Sequence, residues 1–390
     1  MKRTESPARS CIAAALAIGL GLCVSIPALG AVYVVRPDGT GDYATIQEAI
    51  DASVAGDVIE LTTGVFVGPG NRGIQVPPHQ ITIRSQGGDP DLCVIDCEES
   101  ARGIQVLAIP GTVIEGITIT RGLAVLAQAG GLSIGGGYTG ITVRDCVFHA
   151  NTAFTGGAVG DGANSTFIRC RFIENSAVDG GAFFTNNANS PTLEDCTFIG
   201  NAASRFGGAV FLEAIEASFR QGRGAVFRGC LFSGNSAVGV GSIVIDGCSP
   251  TIENCTFVAN SASHGVLQCT YALGTPANPL ISHCIIAFSS EGAAVSCDAE
   301  CSPTLLCCDV YGNEGGDWVG CLEGQLGVNG NIWADPLFCD REGGDFRLEL
   351  GSPCGPEANP ECGLIGALPV GCGPTPAQRC TWGGIKALFR

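Results

Sequence analysis

Between residues 140 and 313, short runs in which apolar and polar positions alternate recur along the chain at a nearly fixed spacing. Cysteine stands at 146, 170, 196, 230, 255, 284 and 308, with gaps of 24, 26, 34, 25, 29 and 24 residues. Two places after each comes Phe148, Phe172, Phe198, Phe232, Phe257, Ile286 or Val310. Five places after comes Asn151, Asn175, Asn201, Asn235, Asn260, Ser289 or Asn313. A period in the twenties, written in β-formers and glycine, predicts a solenoid of stacked coils.

The role of each position follows from strand geometry. Side chains alternate across a strand, so the cysteine and the residue two places on share a face, and their apolar character turns that face inward. Asparagine tolerates the left-handed conformation of sharp turns and is expected at the corner, where stacked amides exchange hydrogen bonds between coils. The pairs Gly156-Gly157, Gly180-Gly181 and Gly207-Gly208 mark the next corner. Apolar residues also stand three places before each cysteine (Val143, Phe167, Leu193, Phe227, Ile252, Ile281, Leu305). Positions three apart cannot both face inward on a straight strand, so a bend is expected between them. Each coil therefore reads as three short strands and three turns, and the expected fold is an all-β, single right-handed parallel β-helix.

Open ends of such a stack would pair with other chains. At the start, "TIQEAIDA" carries a capping-box pattern, Thr45 with Glu48 three on, and the apolar stripe Ile46, Ala49, Ile50. It predicts a short helix that plugs the first coil. Beyond residue 320 the repeat decays into "ADPLFCDREGGDFRLELGSPCG", read as a closing segment. The expected organisation is an export signal over 1–30, a β-helix over 31–350, and a Cys/Gly/Pro-rich closing segment and tail over 351–390.

The signal rests on Lys2, Arg3 and Arg9 ahead of "CIAAALAIGLGLCVSI", with Ala28 and Gly30 suited to cleavage before Ala31. The run is short for a membrane anchor of roughly 20 residues, and Leu22 before Cys23 is bulky for a lipoprotein signal. No span is expected after removal, and a secreted or outer-surface location follows. Without the first 30 residues the chain holds 17 Lys and Arg against 36 Asp and Glu, a net charge of −19. That balance argues against nucleic acid or anionic membrane as partner. Acidic glycans would need bridging calcium.

The Cys-x-Phe-x-x-Asn-x-Ala-x-x-Gly-Gly-Ala pattern resembles the repeats of chlamydial polymorphic outer-membrane proteins. The opening "VVRPDGTGDYATIQEAIDA" resembles the start of pectin methylesterases and other pectin-lyase-like proteins. The resemblance implies a right-handed parallel β-helix, and little about chemistry, since that fold hosts lyases, hydrolases, esterases and adhesins. The catalytic stretches of the methylesterases (Gly-x-x-Asp-Phe-Ile-Phe-Gly and Gly-Arg-Pro-Trp) are missing. So are the Asp-Pro-His of alginate epimerases and the Asn-Thr-Asp and Asp-Asp pairs of polygalacturonases. A lysine-based lyase lacks its base, because Lys386 is the one lysine after the signal. Arg144, Arg169, Arg171 and Arg228 keep an arginine-based lyase open.

The bland expectation for those arginines is a charge ladder: Glu194, Arg228 and Glu253 occupy the same place in successive coils and should stand side by side, exposed. Thr142, Thr166, Thr192, Thr251 and Thr304 form an outward column suited to strands, with ice binding a minor alternative. Asp-Gly turns such as "GDGAN" leave loop calcium open as a ligand; otherwise no cofactor is expected. The four histidines show no metal spacing. In "CDAECSPTLLCC" (297–308) an exported chain favours disulfides over zinc. Parallel Cβ vectors make the column cysteines poor disulfide partners. Cys354 with Cys362 and Cys372 with Cys380 are the expected pairs near the end.

Two insertions break the period: "FLEAIEASFRQGRG" (211–224) and "QCTYALGTPANP" (268–279). Long turns wall the groove of a β-helix, so Glu213, Glu216, Arg220, Arg223 and Tyr271 are the candidate site residues. The expectation is a monomeric, non-catalytic β-helix that binds extracellular polysaccharide or a neighbouring cell-surface component. The alternatives are a polysaccharide-active enzyme with an unfamiliar site and a passenger of an outer-membrane transporter. Two carboxylates in one groove would favour the enzyme.

Overall fold

The computed structural model describes residues 30–137, 139–186, 189–213 and 224–372. The segment expected to be an export signal, most of the first insertion, and the tail with Cys380, Trp382 and Lys386 lie outside them. Among the described residues the chain winds into one parallel solenoid with three sheets of 11, 10 and 14 strands. One coil shows the plan. Thr142–Arg144 lies in the first sheet, Val147–His149 in the second, and Thr152–Thr155 followed by Val159–Asp161 in the third. Each pairs in parallel with its equivalent one coil on, as Thr142 with Thr166 and Phe148 with Phe172.

The third side is therefore bent into two arms, one strand more per coil than the sequence suggests. The bend needs glycine. Gly156 sits at φ 61°, and a Cβ on Gly157 would lie 2.2 Å from the carbonyl oxygen of Gly181 in the next coil. The bend between the first and second sheets falls one residue before each cysteine, at Asp145, Arg169, Asp195, Gly229, Asn254, His283 and Cys307, all at positive φ.

All seven column cysteines are buried, as are the phenylalanines beside them. Rings 148, 172, 198, 232 and 257 stack with centroids 5.3, 4.5, 4.6 and 4.7 Å apart. This spacing is the coil rise itself, so each ring meets its copy face to face and adds aromatic contact to its burial. The thiols donate to carbonyls of the preceding coil, as Cys170 to Val143 O at 3.5 Å. Burial pushes the Cys146 and Cys196 thiols up, which keeps them protonated.

The asparagines do stack, but they are not the left-handed residues. That conformation belongs to the position before each, such as Ala150, Glu174, Gly200 and Ala259. Asn151 Nδ2 donates to Asn175 Oδ1 at 3.0 Å and to Ile119 O at 3.0 Å; Asn175 repeats this with Asn201, and Asn201 with Asn235. The buried amide needs both hydrogens satisfied, so it requires a fixed, extended backbone, and the neighbour with a free choice of side chain takes the strain.

Helix α1 spans Ile46–Ala52, capped by Thr45, whose side chain accepts from Glu48 N, while Glu48 accepts from Ala44 N. Ile46, Ala49 and Ile50 are fully buried against the first coils. At the other end, the antiparallel strands Phe338–Asp340 and Asp345–Leu348 do more than cover the last coil. The closing segment folds back along the outer face of the second sheet. There Phe338, Phe346, Leu348 and Ile365 bury Val258, Ile285 and Ala287. Gly366 N donates to His283 O at 2.7 Å and Ala367 N to Thr256 Oγ1 at 2.9 Å.

The disulfides correct the expected pairing. Cys362 bonds Cys307, Cys339 bonds Cys372, and Cys297 bonds Cys321. Cys354 is a buried free thiol that donates to Asp309 Oδ2 at 3.1 Å. The bridges join the closing segment to coils or to itself across long loops. Local spacing could not reveal this, because the fold-back determines which cysteines meet. The column thiols remain free, as their parallel geometry requires.

Candidate functional site

On the third side the two arms enclose a groove of about 370 Å³. It forms where three coils set Thr155, Asp179 and Phe206 in one register on the first arm. On the second arm Phe184 and Phe211 are in register. In "GGAFF" and "GGAVF" two adjacent residues of a strand are both apolar. Alternation sends one inward (Phe183, Val210) and the other out, onto the groove floor (Phe184, Phe211). The two floor rings lie 5.7 Å apart, with Phe206 6.0 Å from Phe211. Phe154 and Leu126 form the wall, 46 % and 94 % exposed.

The polar groups converge on the same place. Arg205 Nε donates to Asp179 Oδ1 at 2.8 Å and its Nη2 to Oδ2, while the guanidinium rests 4.8 Å from the Phe206 ring centre. The Asp179 side chain is 3 % exposed and that of Arg205 is 54 %. Glu213 ends the strand Val210–Glu213, half-buried and in register with Asp246. Burial first, then the charges of Asp246 and Asp179, push its carboxyl up, against the pull of Arg205. Thr155 lines the groove, and its buried hydroxyl has no hydrogen-bond partner among the described residues.

Of the residues singled out in the sequence, Glu213 lies in this groove. Glu216, Arg220 and Arg223 fall in 214–223, outside the described residues. Tyr271 lies apart from the groove lining, two coils on from Glu213; it is partly exposed, and its N–H donates to Asp298 Oδ2 at 2.8 Å. Phe154, Asp179, Phe184, Arg205 and Phe211 were not singled out, although the doubled apolar residues after each glycine pair carry the signal for two of them.

The arginines beside the cysteine column are held elsewhere. Arg144 pairs with Glu115 at 2.8 Å, Arg169 with Asp145 at 2.7 Å, and Arg171 with Asp91. Arg228 lies 3.7 Å from Glu194 and 3.1 Å from Glu253, all three exposed as expected for a ladder. The threonine column is broken by Val226 between Thr192 and Thr251 and by Leu280 before Thr304. Among the described residues no group of three His, Cys, Asp or Glu side chains is placed to hold a metal ion.

Comparison with known proteins finds similarity of three kinds. A stretch of 122 residues, 31 % of this chain, is 34 % identical to metabotropic glutamate receptor-like protein P of Dictyostelium discoideum. The match spans 8 % of that protein's length. A solved structure of pectate lyase Pel9A aligns over 80 % of this chain and 83 % of its own, at 13 % identity and a TM-score of 0.38. The family described as "Right handed beta helix region" matches residues 92–257 and 214–332, more than half of the sequence. With its coils, ladders and sheets described above, the chain belongs to the right-handed β-helix family.

Proposed function

We propose that the chain is an exported β-helix that binds glycan along its third side, with the groove between the two arms as the binding site and no catalytic step. The observation that carries this reading is the exposed Phe154 ring in a groove that also holds Arg205, Asp179 and Glu213, above a floor of the buried rings Phe184 and Phe211. Sugars offer apolar C–H faces to aromatic rings and hydroxyls to charged groups. The coil spacing, seen in the ring stacks at 4.5 to 4.7 Å, is close to the length of one sugar unit, so a chain lying along the axis would advance by about one unit per coil. The acidic composition and the export signal support an extracellular setting. So does the likeness of the Cys-x-Phe repeat to surface-displayed repeats.

A second reading has one observation in its favour. The groove holds two carboxylates, Asp179 and Glu213, and the raised Glu213 is suited to general acid work. Both oxygens of Asp179 are taken by Arg205, which leaves it poorly placed to act as a nucleophile or base, and binding is preferred.

The test is a panel of plant, algal and bacterial polysaccharides, with and without calcium, assayed for binding and for cleavage with the intact protein and with Phe154→Ala. Binding weakened at least tenfold by Phe154→Ala supports the reading. Binding indifferent to that change rejects the groove, and cleavage lost in Glu213→Gln would establish the enzyme instead.

A further inference from the structure

Where the repeat ends, the corner after the second sheet turns aromatic side chains outward. Phe288 stands at φ 56°, in the corner position that Ala150, Gly200, Gly234 and Gly312 fill in other coils. A large side chain is uncommon in that conformation, and here its ring is partly exposed. Gly312, one coil on, leaves the ring room, since a Cβ there would lie 3.0 Å from Phe288 Cδ1. The Tyr311 ring centre is 5.7 Å from that of Phe288, and the Trp333 ring centre is 5.7 Å from that of Tyr311. Ile332 bridges Asp309 in parallel, so Trp333 lies one step further along the solenoid. Trp333 is 59 % exposed, and its indole N–H donates to Asp317 Oδ2 at 2.8 Å. Asp317 is itself held by Gly312 N and Asn313 N. The indole is therefore fixed through its one polar atom, and what it offers to solvent is apolar face.

Phe288 also borders a recess of about 250 Å³, walled by Asp335, Leu337, Arg341 and Glu349. The Arg341 guanidinium rests 4.2 Å from the Phe288 ring centre. Arg341 is exposed and makes no ion pair among the described residues. Residues 373–390 hold no Asp or Glu to supply one. Single exposed rings are ordinary, whereas rings in contact and rimmed by polar groups mark an interaction site. None of these residues lines the groove on the third side.

We propose that this row is a second sugar-binding surface, separate from the groove, and that it takes a neutral, equatorially linked hexose chain. One sugar ring lies on the exposed Trp333 face with Tyr311 beside it, and a neighbouring unit places its hydroxyls at Arg341, Asp335 and Glu349. The ligand class follows from what is exposed. Equatorial hydroxyls leave axial C–H groups on both faces of a pyranose, and those faces match an indole. A guanidinium donates to hydroxyl oxygens, and carboxylates accept from hydroxyl hydrogens. The recess carries both signs of charge, so an ionic chain is opposed whichever sign it has. A uronic acid chain meets Asp335 and Glu349, and an aminated chain meets Arg341. The row stands or falls independently of the groove.

The experiment titrates the full chain with hexamers of β-linked glucose, of galacturonate and of glucosamine, read by calorimetry and by tryptophan emission. The proteins are the wild type, Trp333→Ala, Trp333→Phe, Arg341→Ala and Phe154→Ala. No tryptophan is among the described residues that line the groove, so a change in emission that Trp333→Phe abolishes reports on the row. The expected result is that the glucose hexamer binds and alters the emission. Trp333→Ala should weaken that binding at least tenfold and Arg341→Ala by less, while Trp333→Phe keeps most of it. Both side chains are exposed, so an unchanged melting temperature separates a lost contact from a lost fold. Affinity untouched by Trp333→Ala overturns the proposal. Binding removed by Phe154→Ala and indifferent to Trp333→Ala also overturns it, with the sugar in the groove. The reverse pattern upholds the row and removes the groove reading. Tighter binding of the galacturonate or glucosamine hexamer than of the glucose hexamer overturns the neutral class. Self-association that Trp333→Ala breaks, with no sugar bound by the wild type, overturns it as well and makes the row an interface between copies.

Discussion

The second and third sheets of this solenoid are built by opposite rules. Along the second sheet one residue type repeats in each column: cysteine, phenylalanine, asparagine, each stacked on its copy one coil away. Along the third, the outward column through the groove changes along its length, from Gly160 to Phe184 and Phe211, then to Val244 and Gln268. Repetition serves packing, because identical side chains at the coil spacing satisfy each other. Recognition needs different groups brought together, and the groove proposed for it lies where the repetition stops. If this contrast is right, changes in the repeated columns cost stability and leave binding alone, and changes in the groove cost binding.

The largest effect should come from the ring stack. Phe198 lies between Phe172 and Phe232 and is fully buried. Phe198→Ala should lower unfolding free energy by about 3–5 kcal/mol in denaturant titration, with glycan affinity unchanged under native conditions. A loss below about 1 kcal/mol would mean that the stack is not a structural column.

Next is the bridge between Cys307 and Cys362, 55 residues apart, which ties the closing segment to the coil edge. Replacing both with serine should cost roughly 2–4 kcal/mol. It should also raise amide exchange at Val258, Ile285 and Ala287, which the segment covers. Unchanged protection there would show that the fold-back holds without its bridge.

A smaller and pH-dependent effect is expected at Asp309. It is fully buried under the closing segment, and burial raises its carboxyl to about 7. Ala334 N and the Cys354 thiol donate to it. The unfolded chain releases this proton near pH 4, while the folded chain keeps it to about 7. Stability is therefore full below the unfolded value, falls as pH rises between the two, and levels off above. Asp161, also raised to about 7 by burial, adds a second such drop. Asp309→Asn should remove the Asp309 share, seen as a shallower decline of melting temperature across that interval. An unchanged slope would place the Asp309 carboxyl in an ionised state throughout.

The same contrast explains what could be read from the sequence. Columns repeat, so the inward cysteines, the phenylalanines, the Asn stack and the Glu194–Arg228–Glu253 ladder were visible from spacing alone. So was helix α1, whose Thr45 and Glu48 cap is local. The left-handed residues were placed one position late, because asparagine's tolerance of that conformation concealed its use as a hydrogen-bonding amide. The disulfides and the fold-back onto Thr256 and Ile285 depend on contacts between residues far apart in sequence, which periodicity does not encode. Glu213 is legible through the insertion (211–224) to which it belongs. Asp179 and Arg205 were not, since each occurs once and only the stacking of their coils makes them a pair.

The smallest effect is the most direct test of the ladder. Arg228 lies in the repeated part of the molecule yet carries charge, and by composition alone it is a tempting catalytic residue. Its side chain is 53 % exposed, and its partners Glu194 and Glu253 are 39 % and 40 % exposed. Water screens both ion pairs, and ordering the long side chain offsets part of the Coulomb gain, so Arg228→Ala should change stability by well under 1 kcal/mol. Salt should reduce even that difference. Glycan binding should be unaffected, since the first sheet faces away from the groove lining. Arg205→Ala supplies the contrast. It strips the nearly buried Asp179 of its partner beside the phenylalanine floor, so it should alter both stability and binding. If Arg228→Ala weakened binding as much as Arg205→Ala, the ligand would lie across the first sheet, and the separation between packing columns and recognition groove would fail.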